Sequence, residues 1–241
     1  DFNYNDIDGD SLASVRISVL ETVGSLQLSG VDVTLNQVIS RADIDAGNLT
    51  FSPVANANGT AYDSFVFVVS DGILETSSAS TMTIDVTSVN DAPTSTGNTV
   101  TTDEDTPYTF AASDFNYNDI DGDSLASVRI SVLETVGSLQ LSGVDVTLNQ
   151  VISRADIDAG NLTFSPVANA NGTAYDSFVF VVSDGILETS SASTMTIDVT
   201  SVNDAPTSTG NTVTTDEDTP YTFAASDFNY NDIDGDSLAS V

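Results

Sequence analysis

Apolar and polar residues alternate along much of the chain. Every second residue is apolar at 128–132, at 178–182 and at 195–199, with arginine, serine, threonine or aspartate at many of the positions between. Period-two alternation predicts strands with one face buried and the other in water. The same spacing predicts further strands at 139–141 and 144–148. The pattern as a whole predicts an all-β chain.

Turn residues separate these strands, and only one segment has helical character. Glycines, prolines and an Asn-Gly pair punctuate the chain, as turns require. At 153–160 we expect one short helix, with Ser153 as its N-cap, Asp156 at its third position and Gly160 at its end. About seven or eight short strands with a single helical turn predict an antiparallel β-sandwich with Greek-key topology.

The chain is a tandem repeat. Residues 1–128 recur unchanged as residues 114–241. A unit of this length can bury its own core, unlike solenoid repeats of about 20–50 residues. The motif Val-Asn-Asp-Ala-Pro at 89–93 and 202–206 predicts a short, straight linker, because proline restricts both itself and its neighbour. We expect a domain at 1–91 without its first strand, a complete domain at 92–204, and the first strand and acidic loop of a third repeat at 205–241.

The two ends of the chain are complementary. Residues 207–226 repeat the piece, 94–113, that domain 1–91 lacks. Since Asp1 matches Asp114 inside the repeat, we expect the chain to be a piece of a longer array, with any targeting signal outside it. We expect residues 207–241 of one chain to complete domain 16–91 of a neighbour, or the chain to be one window on a continuous array. Either way, the expected partners are identical repeats joined head to tail.

The charge of the chain is strongly negative. There are 36 acids and four cations, all arginine, with no histidine or cysteine and a net charge of −32. Nucleic acid and direct membrane contact are excluded as partners, because both require clustered Lys or Arg. The absence of Cys, His and Lys removes disulfides, thiol chemistry, zinc-type ligands and the usual general bases. We expect no catalysis and no small-molecule substrate; paired carboxylates of glycosidase type are the remaining catalytic candidates.

The acids are clustered. In the intact copy they occur in Asp103-Glu104-Asp105, in the alternating run 119–123 around Gly122, at Asp184, and at the Asn203-Asp204 pair. Carboxylates packed this closely repel one another, and a hard cation with oxygen ligands, above all calcium, neutralises them. EF-hand spacing is absent. The alternative is that these acids only solvate loops or cap turns.

The order of motifs resembles a known family. Asn-Asp-Ala-Pro, Asp-Glu-Asp-Thr-Pro-Tyr, Asp-Ile-Asp-Gly-Asp, Gly-Asn-Leu-Thr-Phe-Ser-Pro, Asn-Ala-Asn-Gly-Thr and Val-Ser-Asp-Gly follow one another through the whole repeat. This succession resembles the bacterial cadherin-like repeats of giant RTX-type surface adhesins. The resemblance implies tandem cadherin-like, immunoglobulin-like sandwiches on the bacterial cell surface, with Ca²⁺ bound between successive domains.

The resemblance also implies calcium ligands. Glu104 stands where cadherins place the glutamate of their first strand, whereas Ser201 and Ala205 depart from the linker pattern, so we expect one or two ions per junction. The expected ligands at the first junction are Asn90, Asp91, Asp119, Asp121, Asp123 and Asp184. At the second junction they are Glu104, Asn203, Asp204, Asp232, Asp234 and Asp236. The first copy adds Asp6, Asp8, Asp10 and Asp71.

Two functions follow from these expectations. The first is a calcium-rigidified extender that holds the ligand-binding domains of an adhesin away from the cell, since identical copies add mainly length. The second is a sugar- or ice-binding module, because Thr194 and Thr196 alternate on one strand, although Asp198 interrupts the row.

Overall fold

A computed structural model describes Phe2 and residues 4–240. The chain divides into two units, Asp1–Asp91 and Ala92–Val241. Among the described residues, no helix is both long and apolar enough to cross a bilayer.

The described residues of the first unit form seven strands and one short helix. In chain order they are β1 (Ser14–Val19), β2 (Ser25–Leu28), β3 (Val31–Asp32), β4 (Val38–Ser40), α1 (Arg41–Asp45), β5 (Leu49–Ser52), β6 (Gly59–Ser70) and β7 (Ser80–Val86).

The second unit repeats these elements and adds others. They are β8 (Asn98–Asp103), β9 (Tyr108–Thr109), β10 (Ser127–Val132), β11 (Ser138–Leu141), β12 (Val144–Asp145), β13 (Val151–Ser153), α2 (Arg154–Asp158), β14 (Leu162–Ser165), β15 (Gly172–Ser183), β16 (Ser193–Thr200), β17 (Thr207–Ser208) and β18 (Tyr230–Asn231). Two short 3₁₀ turns lie at Ala112–Phe115 and Ala225–Phe228.

Two sheets form the sandwich of the second unit. One has the strand order β13-β10-β15-β16-β8 and the other the order β12-β11-β14-β9. Side chains from both sheets meet in one core, which includes Leu139, Phe164, Phe178, Phe180 and Ile197, all fully buried. The predicted all-β sandwich is therefore confirmed.

One pairing differs from the antiparallel arrangement expected from sequence. Strand β8 pairs in parallel with β16, with Val100 opposite Ile197 and Thr102 opposite Val199. The remaining strand pairs of the two sheets are antiparallel. Alternation determines which face of a strand is buried, but the direction of its neighbour depends on how the chain returns to the sheet.

The short helix has the predicted caps. The Ser153 hydroxyl accepts a hydrogen bond from the Asp156 amide, and Gly160 follows the C-cap Ala159 with a φ of 72°. The predicted strand at 144–148 is wrong in part: β12 ends at Asp145, and Leu148 is 57% exposed while Val146 is buried. Val132 is also exposed, because the register of β10 against β15 shifts between Ile130 and Val132.

The first unit has the same pairings without its counterparts of β8 and β9. Its sheets have the orders β4-β1-β6-β7 and β3-β2-β5, so β7 and β5 lie at sheet edges. Its core contains Val15, Ile17, Leu26 and Ile39, all nearly or fully buried, but Met82 is only partly buried. Its counterpart Met195 is fully buried.

Candidate metal centre

Each acidic run folds into the same tight loop. In the intact copy, one carboxylate oxygen of Asp119 accepts hydrogen bonds from the amides of Asp121 (2.9 Å) and Asp123 (3.2 Å). Gly122 between them has a φ of 83°, which only glycine adopts without strain. The loop therefore places three aspartates close together.

The other two copies of the run repeat this geometry. Asp6 accepts from the amides of Asp8 and Asp10, and Asp232 accepts from those of Asp234 and Asp236. Such bonds are also what a plain Asx turn makes, so the loop alone does not identify a metal site.

A partly buried tyrosine, Tyr117, has a buried hydroxyl oxygen close to three of the predicted acids. Burial raises the pKa of Tyr117 to about 12, and the charges of Asp119, Asp184 and Asp123 add to the effect. These three acids are therefore near enough to the Tyr117 hydroxyl for their charges to act on it. Asp184 is held there because its Oδ1 accepts the amides of Ile186 (2.6 Å) and Leu187 (2.7 Å).

The first unit has the matching arrangement. Burial raises the pKa of Tyr4, and the charges of Asp6, Asp71 and Asp10 raise it further. Asp71 in turn accepts the amides of Ile73 and Leu74. All six of these acids are among the ligands expected from the sequence, and in each unit the charges of three of them act on the same tyrosine hydroxyl.

Glu104 is the most deeply placed acid of the predicted set. It is 4% exposed, just after the end of β8. One carboxylate oxygen accepts the Val202 amide at 2.6 Å, and the other accepts the Asn171 side-chain amide at 3.1 Å. These two hydrogen bonds hold the pKa of Glu104 below its ordinary value, so its buried carboxylate is charged at neutral pH.

Two further carboxylates, those of Asp204 and Asp234, lie close to that of Glu104. Single oxygens of Glu104, Asp204 and Asp234 all lie within 4.8 Å of one another. Oxygens that share one Ca²⁺ at about 2.3–2.6 Å are at most about 5 Å apart, so this donor set fits a calcium ion. Each oxygen that already accepts an amide keeps a second lone pair for a metal.

The electrostatics of this cluster are unfavourable as it stands. Burial raises the pKa of Asp204, and the charges of Asp234, Asp105, Glu104 and Asp232 raise it further. The repulsion between the carboxylates is partly offset by the Asp204 backbone amide, which donates a hydrogen bond to Asp234 Oδ2 at 2.6 Å.

Asn169 and Asp105 belong to this cluster, although the sequence did not assign them as ligands. Asp105 accepts the Asn169 amide at 3.0 Å. With its side-chain nitrogen turned toward the acids, Asn169 also donates to Asp105 and Asp204, each at 3.0 Å. Asp105 stands next to Glu104 in the sequence, but nothing local indicates that Asn169, 64 residues further on, reaches it.

The arginines of the chain are engaged elsewhere. Each pairs with an acid outside the predicted ligand set, and the four pairs are Arg16–Glu75, Arg41–Asp45, Arg129–Glu188 and Arg154–Asp158. Since these four are all the arginines and the sequence has no lysine or histidine, no side-chain cation of the described residues forms an ion pair with the acidic cluster.

The remaining predicted ligands stay predictions. The Asn203 side chain donates to the Asp204 carbonyl at 3.0 Å, and the Asn90 side chain donates to the Asp91 carbonyl at 3.1 Å. Asn90 and Asp91 belong to the first unit, whereas their predicted partners Asp119, Asp121 and Asp123 belong to the second.

One repeat of the sandwich is similar to a known bacterial domain family. Residues 90–200 match the family described as "Bacterial Ig domain". This match supports a bacterial Ig-like or cadherin-like domain over one complete repeat. No curated protein matches the chain.

Solved structures give only distant similarities. The endo-fucoidan hydrolase MfFcnA4 is 22% identical over 81% of this chain and 24% of its own, with a TM-score of 0.27. The related MfFcnA9 is 18% identical over 80% and 29%, with a TM-score of 0.24. The S-layer protein SbsC domains 4 and 5 are 10% identical over 78% and 98%, with a TM-score of 0.23. The chain spans about a quarter of the length of the hydrolases it matches.

Proposed function

We propose that this chain is a structural extender of a large, calcium-dependent bacterial surface adhesin. Calcium bound by the acidic clusters rigidifies successive repeats, which hold distal ligand-binding domains away from the cell. The protein is extracellular and non-catalytic. The bacterial Ig-like domain at 90–200 and the identical tandem copies support this proposal.

The observation that carries the metal part is the convergence of Glu104, Asp204 and Asp234. Three carboxylates that repel, one of them 4% exposed, gain most from a divalent cation. The three residues come from the β8 end, the linker after β16 and the following acidic loop. One bound ion would therefore tie these three segments of the second unit together.

Calcium titration tests the proposal directly. Because the ion binds the folded loops and not the unfolded chain, calcium at a hundred times its Kd adds about 2.7 kcal/mol of stability. We expect calorimetry to report saturable binding and thermal denaturation to move to higher temperature with calcium. An identical melting curve in calcium and in excess chelator overturns the proposal.

A matched pair of variants locates the site. Asp234→Asn removes one carboxylate from the cluster, and Asp158→Asn removes the same charge from a surface pair with Arg154. We expect Asp234→Asn to weaken calcium binding by about ten-fold or more and Asp158→Asn to leave it unchanged. Equal effects of the two variants would show that calcium responds only to net charge.

Small-angle scattering tests the mechanical role separately. If calcium stiffens the linkers at 89–93 and 202–206, chelation shortens the largest dimension of the chain in solution. A scattering profile that does not change with calcium would leave the ion with a local stabilising role and contradict the extender mechanism.

A further inference from the structure

The loop between β14 and β15, residues 166–171, brings a neutral hydrogen-bond donor into the acidic cluster. The side-chain nitrogen of Asn169 lies 3.0 Å from a carboxylate oxygen of Asp105 and 3.0 Å from one of Asp204. Asp105 follows the end of β8, and Asp204 lies in the linker after β16. One exposed side chain therefore joins the β14–β15 loop to the linker.

The position of this loop is set by contacts outside the acidic cluster. At its start, the Val167 amide donates to the Tyr175 hydroxyl at 3.1 Å. Just after it, Ala174 has a φ of 47°, and its amide donates to Asp198 Oδ1 at 2.6 Å. A left-handed alanine is costly, so the surrounding structure must hold it in place. The loop therefore keeps its place whether or not the cluster holds a cation.

The Asn169 side chain can leave the cluster without moving the backbone. Asn169 is exposed, and its φ of 55° is a left-handed value that asparagine tolerates better than most residues. Its backbone amide donates separately to Asp105 Oδ1 at 3.0 Å. Rotation of the side chain breaks its bonds to the carboxylates and leaves this backbone contact intact.

The amide hydrogens of Asn169 and a bound cation draw on the same negative charge. Asp204 is one of the three carboxylates whose oxygens lie within 4.8 Å of one another. Hydrogen bonds to a charged carboxylate are about twice as strong as neutral ones, because the acceptor is negative. A divalent cation on Asp204 neutralises that charge and repels the positive amide hydrogens. The hydrogen bond and the cation therefore weaken each other.

We propose that the Asn169 side chain stabilises the ion-free state of the cluster and competes with calcium for Asp204. This inference rests on the calcium site proposed above. In the ion-free chain, the hydrogen bond from Asn169 to Asp204 holds the linker against the β14–β15 loop, and calcium binding releases it. Because coupling between two binding events is reciprocal, the same hydrogen bond lowers the affinity for calcium.

Glycine at position 169 tests the competition. Asn169→Gly suits the left-handed backbone and keeps the backbone amide, so it removes only the side chain. We expect calorimetry to show about ten-fold tighter calcium binding, or about 1.4 kcal/mol, at the site that Asp234→Asn weakens. We also expect the melting temperature to fall more in excess chelator than in saturating calcium.

Asn149→Gly is the matched control. Asn149 has a similar φ of 64°, but its side chain accepts a hydrogen bond from Arg129 at 3.0 Å and is not part of the acidic cluster. The same substitution therefore has the same effect on backbone freedom. We expect Asn149→Gly to lower the melting temperature equally in chelator and in calcium, and to leave the calcium affinity unchanged.

Hydrogen exchange tests where the contact acts. In chelator, the linker amides at 202–204 should exchange faster in Asn169→Gly than in the wild type, because the linker has lost a contact with the loop. In saturating calcium, the two proteins should exchange these amides at the same rate. Equal exchange rates in both buffers overturn the assignment of the Asn169 contact to the linker.

The sign of the change in calcium affinity separates the alternatives. Weaker binding by Asn169→Gly would make the side chain a ligand or a positioning group and would overturn the competition. Unchanged affinity, with equal losses of melting temperature in both buffers, would show a structural role alone and would also overturn it. If the wild type binds no calcium, the proposed site fails and this inference fails with it. Calcium binding by the wild type with either of the other results overturns this inference alone.

Discussion

Asp156 is an example of a single acid whose role is structural. Its Oδ2 accepts the Ser153 hydroxyl at 2.6 Å, and its Oδ1 accepts the Asn161 side chain at 3.3 Å. These bonds, the first more than the second, hold the pKa of Asp156 below its ordinary value. Asp43 has the same partners in the first copy, Ser40 and Asn48, and its pKa is lowered for the same reason.

The lowered pKa predicts the sign of the acid response. An acid whose folded-state pKa lies below its unfolded-state value stabilises the fold above the unfolded pKa of about 3.9, and the gain disappears as pH falls through the folded pKa. We expect the double variant Asp43→Asn/Asp156→Asn to have a lower free energy of unfolding than the wild type at neutral pH. We expect this difference to become smaller below about pH 4. Urea denaturation of both proteins at a series of pH values measures the difference in the free energy of unfolding. A difference that does not change with pH would show that the variant loses stability through altered packing and not through the loss of charge.

At the scale of an element, the turn before β11 depends on one glycine. Gly137 has a φ of 76°, and a Cβ added there would lie 2.7 Å from both the Phe164 ring and the Ser165 carbonyl oxygen. Gly143, in the turn after β11, has a φ of 78°, but a Cβ there would meet nothing within 4 Å. The two glycines share a backbone conformation and differ in the space around them.

This difference predicts unequal costs for alanine. Gly143→Ala introduces only left-handed strain, which costs about 1 kcal/mol. Gly137→Ala adds overpacking against Phe164 and the backbone, for a total of about 3 kcal/mol. Chemical denaturation of the two variants measures the difference in the free energy of unfolding. Equal losses would show that the strand shifts freely and that the close contact is not a constraint.

At the scale of the whole molecule, two identical sequences have unequal cores. Met195 and Ile197 are fully buried in the second unit, while Met82 and Ile84 are partly exposed in the first. Burial of apolar area is the main stabilising term, so the first unit is the less stable of the two. Each unit contains a buried aspartate at which a substitution can lower the stability of that unit alone. These residues are Asp63 and Asp176, both 6% exposed.

Calorimetry should therefore resolve two transitions. Asp176 accepts the amides of Thr135 and Val136, and Asp63 accepts the equivalent amides in the first unit. Asp63→Ala should lower the earlier transition and Asp176→Ala the later one, because each leaves buried amides unpaired, at a cost of about 3 kcal/mol. One transition that both variants lower equally would contradict unequal stability.

What the sequence determined by itself is local. Alternation identified the buried faces of β15 and β16, and that of β10 except at Val132. The Ser153 cap and Gly160 identified the short helix α2. The acidic loops could also be predicted from the sequence, because a run of aspartates around a glycine forms its turn without a distant residue. These features depend on neighbours a few positions away, and their periodicity is visible in the printed letters.

What only the tertiary structure decided is long-range. The parallel pairing of β8 with β16 joins residues almost a whole repeat apart, and the same pairing determines that Met195 is buried while the identical Met82 is not. Likewise, Asn169 and Glu104 reach Asp204 only because the sandwich brings separate loops together. Two copies with one sequence therefore differ in burial, because burial depends on which strand lies alongside and not on the residue's own neighbours in the chain.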